Sequence, residues 1–150
     1  LSLKNALTNI SKNPRTSDTL KNKNIKHYLF VRDWVDFENL IELRCFIINQ
    51  ELRAITNYSN SDIETNKEDL TLKIIKFVKK CIHSLSEIYV DFTLDIAVKK
   101  SETDDIFLVE INSPVYALAG SGNFTLNEVT EIILKKNELI NYPYVNFNKL

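Results

Sequence analysis

The chain has 150 residues, 19 Lys+Arg against 20 Asp+Glu, 44% hydrophobic residues, and only two glycines, two cysteines and two histidines. That length suits one domain with one sizeable core, and a net charge of −1 gives no electrostatic case for a nucleic-acid partner or an anionic membrane. Neither a G-x-x-x-x-G-K nor a G-x-G-x-x-G phosphate loop occurs, so any phosphate chemistry must use side chains.

In chain order, Leu3, Ala6, Leu7 and Ile10 stand at helical spacing, and Pro14 ends that segment. Residues 14–26 are polar and read as a loop or linker. His27–Val35 reads as a strand, with Tyr28, Phe30 and Trp34 on the face that carries Arg32. A second strand over 41–48 sets Ile41, Leu43, Cys45 and Ile47 on one face, with Glu42, Arg44, Phe46 and Ile48 on the other. Asn49-Gln50 makes the turn into a third strand, Glu51–Tyr58. Thr65 and Glu68 form a T-x-x-E capping box before an amphipathic helix that runs to about Ser86. A strand from about Ile88 to Val98, a loop Lys99–Asp105 and a strand Ile106–Asn112 follow. Ser113–Asn123 reads as loop. Thr125 and Glu128 open a helix to about Lys136, and the tail Asn137–Leu150 has no clear period. The order predicts an α+β fold, a mainly antiparallel sheet with packed helices.

The remaining polar chemistry is sparse. Cys45 and Cys81 sit in apolar stretches as small buried hydrophobes, and with His27 and His83 they lack zinc-ligand spacing. No run approaches the roughly 18 apolar residues of a membrane span, and no basic-then-apolar leader opens the chain. The expectation is a cytoplasmic protein. The chain begins at Leu1 and has no methionine, which reads as a fragment or a processed product.

Period-two alternation leaves certain polar residues to explain. Glu110 and Asn112 share a strand face, about 7 Å apart, and Asp91, Thr93 and Asp95 share one on the preceding strand. A hairpin brings Asp95 beside Glu110, an oxygen-rich set suited to Mg²⁺; the alternative is a solvated sheet face. Arg32 and Arg44, two of only four arginines, lie within apolar strands. A guanidinium there suits bidentate binding of phosphate or carboxylate, the alternative being a structural ion pair with Glu42 or Asp33.

The runs F-V-R-D-W (30–34), E-L-R-C-F-I (42–47), L-R-A-I-T-N-Y (52–58), L-D-I (94–96) and L-V-E-I-N (108–112) resemble the ATP-grasp fold. The likeness is to the cell division cycle protein 123 family and to a related phage and bacterial ATP-grasp clade, over about residues 27–130. The resemblance implies that Arg32 and Arg44 contact ATP phosphates or an acyl phosphate, and that Asp95, Glu110 and Asn112 hold Mg²⁺ between the phosphates. It implies an N-terminal helix and linker over 1–26, the remnant of a preceding lobe, and a C-terminal ATP-grasp lobe over 27–150. Ile111-Asn112-Ser113 stands where the cell division cycle branch has Phe-Asn-Pro, and residues 1–26 are too few for the lobe that supplies a nucleotide-holding lysine.

The leading expectation is an ATP- and Mg²⁺-dependent ligase joining a carboxylate to an amine or thiol through an acyl phosphate. The rivals are a non-catalytic, nucleotide-binding assembly chaperone for a protein partner of translation-factor type, and a degenerate scaffold lobe without ATP.

Overall fold

The computed structural model describes residues 3–21, 24, 26, 38–57, 66–100, 105–112, 122–135, 138 and 142–147. The expected strand over 27–35, Arg32 with it, lies outside them. The chain divides into two compact units, residues 1–35 and 36–150.

The first unit holds α1 (Leu3–Lys12) and α2 (Pro14–Lys21). Pro14 does end α1, but it also starts α2, where a loop was expected. Proline at the first helical position loses no hydrogen bond, because that N–H has no intrahelical acceptor. Asn13 supplies the link: its carbonyl accepts from Ser17 N at 2.8 Å and Thr16 N at 3.1 Å.

The second unit is built on a mixed five-stranded sheet of order β4-β3-β1-β2-β5. Strands β1 (Leu40–Ile48) and β2 (Glu51–Asn57) form the expected hairpin. Asn49 and Gln50 both have positive φ, 55° and 59°, the type I′ geometry whose twist matches a two-residue hairpin. After α3 (Lys67–Leu85), β3 (Phe92–Lys99) pairs antiparallel with β1, and β4 (Ile106–Asn112) pairs antiparallel with β3. Helix α4 (Leu126–Leu134) follows, and β5 (Tyr144–Asn146) closes the far edge, parallel to β2.

Each sheet face has its own cover. Ile41, Leu43, Cys45, Ile47, Ile55, Leu94 and Ile96 pack with Leu70, Ile74 and Val78 of α3. Phe46, Ile48 and Ala54 face the other way and pack with Phe124, Val129 and Ile132 of the α4 region. The α4 capping box is as expected: Thr125 Oγ1 accepts from Glu128 N, and the Glu128 carboxylate accepts from Thr125 N. The Thr125 N–H and the Thr125 hydroxyl both donate to that carboxylate, favour its ionised form and hold Glu128 below its usual range. Among the described residues no helix is long and apolar enough to cross a membrane.

Four expectations are corrected. The N-cap of α3 is Asn66, whose side chain accepts from Glu68 N at 3.0 Å and Asp69 N at 3.4 Å; Thr65 lies outside the described residues. Residues 88–91 are not strand, because Ile88 N and Tyr89 N both bond back to Leu85 O at 2.9 Å and extend the helix end as a turn. Strand β4 does not alternate throughout. Its register shifts between the partners of Asp95 and Ile96, so Val109 is an extra residue and Phe107, not Leu108, returns to the face of Glu110. Finally, β5 was read as irregular tail; three residues carry no period, and only pairing with distant β2 makes them a strand.

Replacement of Asn66 by Ala leaves two first-turn N–H groups without their acceptor, and is expected to cost about 1 kcal/mol, read from urea unfolding at unchanged slope.

Candidate functional site

Paired residues in neighbouring strands project to the same side of a sheet. The register therefore builds one polar row across all five strands: Glu110, Asp95, Arg44, Thr56 and Asn146. At its centre Arg44 Nε and Nη2 donate to Asp95 Oδ1 and Oδ2, each at 2.7 Å, with side chains only 2% and 4% exposed. A fork-to-fork pair of this kind satisfies two charges whose separate burial would be prohibitive. The open alternative for Arg44 is thus an ion pair, and its partner among the described residues is Asp95; Asp33 lies outside them.

Asn112 ties the outer end of the row together. Its Nδ2 donates to Asp95 Oδ2 at 2.9 Å and to Glu110 Oε2 at 3.3 Å. Asp95, Glu110, Asn112 and Arg44 are therefore brought to one place, as the alternation required, while Arg32 lies outside the described residues. Asp91 is not part of the group; its carboxylate accepts from Asn49 N at 2.6 Å at the β1–β2 turn. Glu42 joins the cluster instead. Its carboxyl is pushed above the ordinary range by burial, then by the charge of Asp95, against the opposing pull of Arg44, with a further push from Glu110. Buried Thr93, the register partner of Asn112, has a hydroxyl with no hydrogen-bond partner among the described residues.

Among the described residues no three His, Cys, Asp or Glu side chains are grouped to hold a metal ion. Two carboxylates and an amide do stand together, with Glu42 near Asp95 and Glu110. Hard oxygen donors of this kind fit Mg²⁺. Asn112 now turns its N–H to the acids, so it is the amide that must yield its oxygen if it is to act as a ligand.

The inner end of the row is clamped by the chain returning from residues 113–121, which are outside the described set. Asn123 N donates to Thr56 Oγ1 at 3.0 Å, and Asn146 Nδ2 donates to Asn123 O at 3.0 Å. Gly122 has φ +59°; a methyl there would strike Thr56 Cγ2 and lie 2.8 Å from the Asn57 carbonyl oxygen. Thr56 and Asn146 carry no local sequence signal and stand outside the expected site residues, as does Arg53. Arg53 is buried, donating from Nη1 to Glu138 O at 2.6 Å and pairing through Nη2 with Glu51 at 2.8 Å.

Against known proteins, a family model described as D123 matches residues 2–146, and the chain belongs to that family. The putative CDC123-like protein L884 of Acanthamoeba polyphaga mimivirus is 31% identical over 121 residues, 76% of this chain and 38% of the relative. Cdc123 from Schizosaccharomyces pombe superposes with a TM-score of 0.64 at 18% identity, covering 91% of this chain and 57% of that one. Its C-terminally truncated form gives 0.61 at 21% identity, covering 78% and 43%. The chain thus shares their fold and spans well under two thirds of their length.

Two outcomes test this geometry. Arg44→Leu or Asp95→Leu leaves one uncompensated buried charge and is expected to destabilise by about 3–5 kcal/mol, whereas the double replacement recovers most of the loss in a denaturant cycle. A carboxyl whose pKa is raised in the fold destabilises once ionised, fully above the folded value, and the cost is relieved as pH falls toward the ordinary glutamate range. Glu42→Gln is therefore expected to raise the melting temperature at neutral pH, with the gain over wild type shrinking on acidification.

Proposed function

We propose that this D123-family chain is a nucleotide-binding assembly factor, an ATP-grasp lobe that binds ATP with Mg²⁺ and serves a protein partner of translation-factor type. The observation that carries the reading is the single polar row, in which the four residues matching the family's motifs meet on one sheet face. Asp95, Glu110 and Asn112 would hold the cation, which when bound shields the phosphate charges from the carboxylates. Arg32 would supply a phosphate contact from outside the described residues.

Arg44 supports binding over turnover: its Nε–Nη2 edge, one of the guanidinium's two-point edges, is taken up by Asp95 and is not offered to a phosphoryl group. Arg44 therefore orients the Asp95 carboxylate toward Asn112 and Glu110. Glu110 is the exposed member of the group and the point of first contact for a solvated cation.

Calorimetric titration with ATP and Mg²⁺ tests the reading. Binding is expected, weakened at least about tenfold in Glu110→Ala, a variant at an exposed position that keeps its fold. Unchanged affinity in that variant would remove the cation site from the row and leave the scaffold alternative. Sustained ADP release dependent on an added carboxylate and amine would instead establish the ligase.

A further inference from the structure

The β1–β2 turn is locked onto the connection between α3 and β3. Gln50 N donates to Val90 O at 2.9 Å, Gln50 Nε2 donates to Ser86 O at 2.9 Å, and Asn49 N donates to Asp91 Oδ1. Next to Gln50 the ordered segment presents Ile88, Tyr89 and Val90, which are 70%, 41% and 56% exposed. Leaving large apolar side chains in water forfeits burial energy, and a contiguous group of them marks a contact surface.

A groove of about 280 Å³ adjoins this turn, lined by Leu52, Ile75, Ile82, Tyr142 and Pro143 together with Gln50. Helix α3 adds the charge. Lys79 lines the groove, and Lys76 and His83 share its helix face at i−3 and i+4, with Lys80 beside it; all are exposed. The acids nearby are mostly engaged. Glu51 also lines the groove but is bonded to Arg53 at 2.8 Å, Asp69 is paired with Lys73 at 2.8 Å, and Asp91 accepts from Asn49; Glu87 is exposed. An apolar groove with a cationic margin results.

We propose that this surface docks an acidic segment of a partner protein bearing one aliphatic or aromatic anchor. The anchor enters the groove against Leu52, Ile82 and Tyr142, and the flanking carboxylates meet Lys76, Lys79 and Lys80. Charge complementarity selects the sign of the segment, and the apolar lining selects a peptide over a polyphosphate backbone. The inference shares with the assembly-factor reading only the need for a protein partner; it uses neither ATP nor the polar row.

The test is fluorescence anisotropy of the full chain against labelled short peptides, each with a central Leu or Phe flanked by Asp and Glu. Matched sets carry Asn and Gln, or Lys and Arg, in the flanks. Acidic members are expected to bind, to weaken with salt, and to lose at least about tenfold in affinity in Lys79→Glu. Val90→Ser is expected to weaken them as well, and Glu110→Ala to leave them unchanged while it impairs ATP binding. Lys76→Glu serves as the second charge variant should Lys79→Glu fail to fold. The proposal is overturned if no acidic peptide binds, if neutral peptides or RNA oligomers bind as well, or if neither charge reversal matters. It is likewise overturned if light scattering shows a dimer that Val90→Ser dissolves, since the occupant would then be a second copy.

Discussion

A guanidinium and a carboxylate share the middle of the sheet, and most of the second unit's architecture follows from keeping them together. Arg44 and Asp95 are both buried, so each is tolerable only because the other meets it with two 2.7 Å hydrogen bonds. A one-residue slip between β1 and β3 would turn one of the two charges into the layer packed against α3 and leave the other without its partner. The pair therefore specifies the register, and the register decides which residues reach the α3 core, which reach α4, and which line the polar row.

Two irregularities bracket that row and shape it. On β4 the extra residue Val109 lets Glu110 and Asn112 face Asp95 while Ile106 still packs toward the α3 core. On β2 the register shifts between the partners of Phe46 and Ile47, beside Arg53. Bulges re-aim side chains without breaking the sheet, and they concentrate where a sheet carries a site. The row thus ends in exposed acid on one side and in the Thr56–Asn123–Asn146 clamp on the other. Among the described residues the strip is negatively biased, with Arg44 buried at its centre. The groove beside the β1–β2 turn is chemically its opposite, apolar with a basic margin, so this unit presents two surfaces of different chemistry.

Local pattern carried much of this. The β1–β2 hairpin, α3 and the α4 capping box were legible because turn residues, helical spacing and caps act over a few positions. The family was legible from the order of short motifs, and Arg44, Asp95, Glu110 and Asn112 were legible because polar residues interrupt apolar strands. What escaped the sequence was set by contacts distant along the chain. The pairing of β5 with β2, the fate of residues 88–91 as a helix-end turn, and the places of Thr56 and Asn146 in the row have no local signature.

The amino-acid sequence by itself determined most of the elements, the family, and the absence of a glycine-rich phosphate loop, since composition and short-range periodicity are properties of the chain alone. Only the tertiary structure decided that Arg44 spends its fork on Asp95, that Val109 bulges, and that Glu42 belongs to the acidic group. The physical reason is register: which charge stands opposite which is set by the free energy of burying both at once, and Arg44 and Asp95 are 51 residues apart in the chain.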